Sequence, residues 1–134
     1  MIAAPGVLQI ATRTALVVDD EVVVRTVLRR FFVRQGWTVV EAETGEEALA
    51  LVSGDATPEI IVCDLNLPGL SGTDVCRLIS ETHPALAERL VLTSGDPISA
   101  RLAVEREALH CPVLGKPFSL ADLARVVNAV SSPE

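Results

Sequence analysis

The sequence predicts a doubly wound α/β fold, with a five-stranded parallel sheet in the order 2-1-3-4-5 and five helices. Three observations carry that reading. The 134 residues suit one domain around one core. Short apolar runs alternate with longer amphipathic patterns five times along the chain. The helical patterns are punctuated by capping residues and glycines. Strands that alternate with helices make a parallel sheet covered on both faces, and right-handed crossovers favour this order.

Ala15–Val18 is a short apolar run that stops at two acids. Val22–Gln35 carries Val24, Val27, Leu28, Phe31 and Phe32 at helical spacing, and Gly36 closes it. Arg25, Arg29, Arg30 and Arg34 read as its solvated face or as a face toward a partner. Thr38–Glu41 is the second strand. Thr44-Gly-Glu-Glu47 has the form of a capping box for a helix through Val52. Glu59–Cys63 is a buried strand followed by a Pro/Gly loop, Leu67–Gly72. Ser71 is placed to cap a helix through about residue 81. Leu90–Leu92 is the fourth strand, and Asp96-Pro97 supplies a cap and a first-turn proline for a helix reaching about residue 109. Pro112–Leu114 is the fifth strand. Ser119 caps a last helix with apolar residues Leu120, Leu123, Val127 and Val130. Residues 1–14 and 131–134 read as tails around a domain spanning 15–130.

Composition narrows the function. The net charge is −7, and no basic run is present to track a phosphate backbone, so direct nucleic-acid binding is not expected. No apolar stretch approaches the ~20 residues of a membrane span. Met1–Thr14 lacks the basic start of a signal peptide. Cys63, Cys76 and Cys111 are far apart and include no CxxC pair. An odd count without a secretory signal points to reduced thiols in a cytoplasmic setting. His83 and His110 are not spaced with them as zinc ligands would be.

The chemistry stands at the strand ends. The first strand runs into Asp19-Asp20-Glu21, the third into Asp64-Leu65-Asn66, the fourth into Thr93-Ser94-Gly95 and the fifth into Gly115-Lys116-Pro117-Phe118. In this topology ligands bind beyond the carboxyl ends of the strands, where the winding reverses. Asp19, Asp20 and Asp64 then converge, and three crowded carboxylates repel one another. A divalent cation resolves the repulsion, and hard oxygen donors suit Mg²⁺, which also accepts a substrate phosphate. A carboxylate can attack phosphorus and form an aspartyl phosphate. Lys116 and the Thr93 hydroxyl are placed to neutralise and hydrogen-bond a phosphoryl group. Of eleven Lys and Arg residues, Lys116 is the one lysine, which marks a site that wants a compact point charge rather than a planar fork. Taken singly, Asp19-Asp20 also fits a helix N-terminus, Asp64 a turn aspartate and Thr93 an ordinary turn residue.

Four segments together, residues 15–21, 60–72, 91–95 and 115–118, resemble the receiver domain of response regulators, the CheY-like members of the flavodoxin-like fold. The resemblance implies a two-component or phosphorelay switch with its phosphoacceptor at Asp64. It implies Mg²⁺ held by Asp20, Asp64 and the Asn66 backbone carbonyl, with Asp19 acting through water. Thr93 and Lys116 would contact the phosphoryl group, and Gly95 and Asn66 would flank the water that later removes it. The donor would be a histidine kinase or histidine phosphotransferase, and a downstream protein partner would read the switch. One position departs from the pattern: Val113 stands where the family often has an aromatic residue, three before the lysine. Residues 112–118 look more like receivers of hybrid histidine kinases than like those of transcription factors. With nothing but Ser-Ser-Pro-Glu after the last helix, the chain reads as a stand-alone regulator or a receiver taken from a longer kinase.

Three other functions compete with this one. A receiver that docks a partner without phosphorylation is left open by Val113. A phosphatase of the haloacid-dehalogenase kind would need its nucleophile in an Asp-x-Asp after the first strand. A flavin binder would need a phosphate-cradling loop where Asp19-Asp20-Glu21 stands.

Overall fold

Runs of β-branched and other apolar residues form the five strands of the computed structural model, which describes residues 13–55 and 57–131. β1 is Thr14–Val18, β2 Thr38–Ala42, β3 Ile60–Asp64, β4 Leu90–Ser94 and β5 Val113–Gly115. They pair in parallel in the order β2-β1-β3-β4-β5, as the alternation of elements predicts. The helices are α1 Val22–Arg34, α2 Gly45–Val52, α3 Gly72–Thr82, α4 Pro84–Ala87, α5 Pro97–Arg106 and α6 Leu120–Ser131.

Strand periodicity divides the core in two. Leu16 and Val18 of β1 pack with α2 and α3 through Ala48, Val52, Val75 and Ile79. Ala15 and Val17 face the other way, onto Leu28 and Phe32 of α1 and Leu123 and Val127 of α6. Phe32 is fully buried and lies edge-on to Phe31 and Trp37, with centroids 5.2 and 5.5 Å away. Burial of a side chain of this kind contributes about 1.5–3 kcal/mol. Gly36 closes α1 at φ +90°, which L side chains rarely adopt.

Several expectations need correction. The helices number six among the described residues, because Pro84 starts the extra turn α4 where a plain connection was expected. Thr14 belongs to β1 and Ser131 to α6; the rest of the expected tails, apart from Arg13, lies outside the described residues. Val27 and Leu120 fall on apolar helical stripes but are 40% and 56% exposed, because both line an open groove between α1 and α6. Thr44 accepts from the Glu47 N–H, but Glu47 accepts from the Glu43 N–H in place of the residue that would complete a box. The reciprocal pair forms instead at α3, between Ser71 and Asp74.

Arg25 is not on a solvated face: it is buried, with only Arg29, Arg30 and Arg34 exposed. Cys76 and Cys111, far apart in sequence, are brought together with their Cα atoms 7.4 Å apart, because α3 and the segment before β5 share one side of the core despite 35 residues of separation. Cys63 is free and fully buried, in keeping with the expectation of a small apolar filler.

Candidate functional site

β1 and β3 are neighbours in the sheet, yet the chain leaves β1 in one direction and returns to β3 from the other. Their carboxyl ends are therefore the point where the winding reverses. Asp19 follows β1 directly. Its N–H donates to the Ala42 carbonyl at 3.1 Å, and its Oδ1 accepts from the Glu21 N–H at 2.9 Å. Asp64 is the last residue of β3, and its Oδ1 accepts from the Asn66 N–H at 3.3 Å. Asp19 and Asp64 are buried, whereas Asp20 is exposed. One oxygen from each of the three lies within 4.8 Å of the others.

Lys116 reaches this cluster from beyond β5. Its backbone N–H donates to the Ser94 carbonyl at 2.7 Å, which fixes where the side chain starts. Its Nζ stands 3.2 Å from Asp19 Oδ2 and 3.3 Å from Asp64 Oδ2. The peptide bond between Lys116 and Pro117 is cis. Thr93 of β4 is in register with Asp64, and its carbonyl accepts from the Leu65 N–H at 2.8 Å. Its side chain is buried and takes no part in the wall of the cleft. That cleft, about 680 Å³, is lined on its polar side by Asp20, Glu21, Asp64, Asn66, Gly95 and Lys116. Val23, Val24, Val27 and Phe118 form the apolar side.

The electrostatics follow from burial. Desolvation, then the charge of Asp19, pushes the Asp64 carboxyl above the ordinary carboxylate value, against the opposing pull of Lys116. Burial works against the Lys116 ammonium, but the carboxylates of Asp64 and Asp19 outweigh it and hold the proton more tightly than usual. Burial, with Asp64 and Asp19 adding to it, also pushes the neighbouring Cys63 thiol up, so this cysteine is not an activated nucleophile.

Two further residues contribute to the site, and neither has a site role in the sequence motifs. Gly72 opens α3, and its N–H donates to the Leu65 carbonyl at 2.8 Å. A Cβ there would lie 2.6 Å from the Asp64 carbonyl oxygen and 2.7 Å from the Leu65 Cα. Only glycine lets α3 start this close to the end of β3. Arg25 sends Nη1 to the Asp19 carbonyl at 2.7 Å. Helical side chains point toward the helix N-terminus, which lets a basic residue one turn into α1 reach that turn.

The donor set tests well for a hard divalent cation. It consists of carboxylates, the crowding already raises one of them toward neutrality, and a single ammonium offsets the buried pair.

Comparison with known proteins agrees with this geometry. A sequence model described as response regulator receiver domain matches residues 15–128. Two proteins named response regulator MprA, from Mycolicibacterium vanbaalenii and Mycobacterium ulcerans, are each 40% identical over 115 residues. Those matches cover 86% of this chain and 48% of each relative, so the chain spans about half the length of the curated relatives it matches. A response regulator receiver domain protein of Clostridium thermocellum superposes with a TM-score of 0.76 at 25% identity, over 89% of this chain and 94% of that one. A response regulator receiver protein of Sinorhizobium medicae shares the fold, with a TM-score of 0.80 at 23% identity, over 91% and 96% of the two chains.

Proposed function

The chain belongs to the response regulator receiver domain family, and from that premise we propose that it is a signalling switch that accepts a phosphoryl group on Asp64. The observation that carries the proposal is the position of Asp64. It ends a central strand, opens into the cleft, and has a lysine ammonium 3.3 Å from one of its oxygens.

The donor is a phosphohistidine of a histidine kinase or histidine phosphotransferase. An oxygen of the Asp64 carboxylate forms the new bond to phosphorus as the donor P–N bond breaks. The electron pair of that bond stays with the imidazole nitrogen, which takes up a proton. Lys116 offsets charge on the transferred group, and its contact with Asp19 keeps the ammonium aimed at the site. Thr93, in register with Asp64, supplies a hydroxyl to a phosphoryl oxygen when its side chain turns outward. Asp20, Asp64 and the Asn66 carbonyl would hold Mg²⁺, with Asp19 acting through water. Bound Mg²⁺ supplies charge neutralisation for the acids and the phosphoryl oxygens. Asn66 and Gly95, both on the cleft wall, flank the path of the water that hydrolyses the phosphoryl group. The protein is thus a self-catalysing acceptor rather than an enzyme with turnover on a small substrate.

Val113 begins β5 without an aromatic ring. Phosphorylation therefore reaches the α5-β5-α6 face, and the downstream protein partner, by movement of Thr93 and its strand rather than by a coupled ring rotation. The same residue supports the second reading, a receiver that docks its partner unphosphorylated. Incubation with a small acyl phosphate and Mg²⁺, followed by intact mass, separates the two. One added phosphoryl group, dependent on Mg²⁺, supports the switch; an unmodified mass with a sound donor supports the docking module.

A further inference from the structure

Asp19 is fully buried, and its backbone carbonyl lies just past the last residue of β1. The first backbone bond of α1 goes from the Arg25 N–H to the Glu21 carbonyl, two residues later. No backbone N–H among the described residues donates to the Asp19 carbonyl. A buried carbonyl without a partner is costly, so something else must meet it. The Arg25 guanidinium does, through Nη1 at 2.7 Å.

The rest of that guanidinium is also committed. Nε donates to Glu41 Oε1 at 2.9 Å, and Nη2 stands 3.7 Å from Glu43 Oε2. The second Glu41 oxygen is taken by Arg29. Glu41 lies on β2 beside Val17 of β1. The fork therefore ties α1 to β2 and to the turn after β1, buried where it meets the Asp19 carbonyl and partly open where it meets Glu41. Its rigid plane fixes the angle between those contacts, which a flexible ammonium would not do. Glu41, shared with Arg29, and Glu43 together offset its charge, so what Arg25 adds at the acidic turn is orientation.

We infer that Arg25 is a positioning residue for the acidic site: by holding the Asp19 carbonyl from behind, it keeps Asp19 and Asp20 turned toward Asp64. The inference rests on the reading of that site as a Mg²⁺-dependent phosphoryl acceptor. Asp19 is then held through its N–H by Ala42, through its carboxylate by Glu21 and Lys116, and through its carbonyl by Arg25. Loss of the last contact frees the peptide between the two acids to rotate.

Four full-length proteins test this: wild type, Arg25→Met, Arg25→Lys and Arg29→Gln. Methionine keeps an apolar stem and removes every donor. Lysine keeps a charge for Glu41 and loses the fork. Arg29→Gln removes a Glu41 partner without touching Asp19. Two quantities are read: the rise in melting temperature that Mg²⁺ gives the unphosphorylated protein, and the Mg²⁺ concentration for half-maximal labelling by an acyl phosphate. Residues behind metal ligands typically govern affinity by about 10–100-fold, and Arg25→Met is expected to weaken Mg²⁺ by that range in both readouts. Arg25→Lys is expected to fold and still to need several-fold more Mg²⁺. Labelling of both variants should recover at saturating Mg²⁺. Arg29→Gln should stay within about twofold of wild type, as for a surface ion pair. If Arg25→Met fails to fold, Arg25→Lys decides. Wild-type Mg²⁺ dependence in the folded Arg25 variants, even with a lowered melting temperature, would make Arg25 a plain helix-to-sheet tie and overturn the inference alone. A wild-type protein that neither responds to Mg²⁺ nor takes up the label would overturn the reading of the site and the inference with it.

Discussion

Two clefts of similar size, about 680 and 730 Å³, open at opposite ends of the same five strands. Both are lined by charge. At the amino end Arg13, Glu59, Glu88 and His110 are exposed. Arg13 lies over the Trp37 ring at 4.1 Å, and Arg89 donates to the Glu59 carbonyl at 2.6 Å. At the carboxyl end Asp19 and Asp64 are buried side by side under one lysine. The amino-end charges are mostly exposed to water. The carboxyl-end charges are desolvated and depend on each other. Burial of like charges, rather than the number of charges, is what separates a built site from a polar surface, because the same carboxylate is far costlier out of water.

The largest effect should come from Asp64→Asn, which removes the nucleophile and should abolish labelling while the fold persists. The same change should raise the melting temperature of the metal-free protein at neutral pH. The folded Asp64 carboxyl lies above its unfolded value of 3.8. The folded state therefore holds a proton that the unfolded state releases, and stability falls as pH rises through this window. The gain in Asp64→Asn should then be full above the raised value and fade toward pH 4. A lower melting temperature at pH 7 would deny the crowding.

Lys116→Met comes next. It leaves Asp19 and Asp64 without their shared cation, so acyl-phosphate labelling should slow about a hundredfold, as when one charge-stabilising donor is lost. Labelling at the wild-type rate would remove Lys116 from the chemistry. Gly72→Ala should cost about 1–3 kcal/mol in denaturant unfolding, since its Cβ meets backbone at the end of β3. It should also slow labelling by displacing Asp64. The smallest effect belongs to the other end: Arg13→Ala should cost about 0.5–1 kcal/mol, the scale of an exposed cation–π contact, and leave labelling unchanged. A labelling defect there would erase the distinction between the two ends.

The sheet order was legible because the alternation of elements and the handedness of crossovers leave few topologies. The polar strand ends were legible because each follows an apolar run: Asp64 after Ile60–Cys63, and Lys116 as the one lysine among arginines. What escaped depends on contacts that form only once the elements pack. Arg25 could not be told from Arg29 and Arg30 by composition; its partner is a backbone carbonyl. Gly72 resembled a loop residue until the end of β3 was placed against it. The proximity of Cys76 and Cys111 exists only once α3 and the approach to β5 share a core. Leu120 fits a helical apolar stripe, but the groove beside α1 stays open around it.

The central claim is that the buried carboxylate at the end of β3, and not either acid after β1, receives the phosphoryl group. Borohydride reduces an aspartyl phosphate to homoserine, so the labelled protein can be reduced, digested and mapped by mass. The account predicts homoserine at position 64 alone, lost when Mg²⁺ is withheld. Homoserine at position 19 or 20, or at no position in a protein that carries the label, would contradict it.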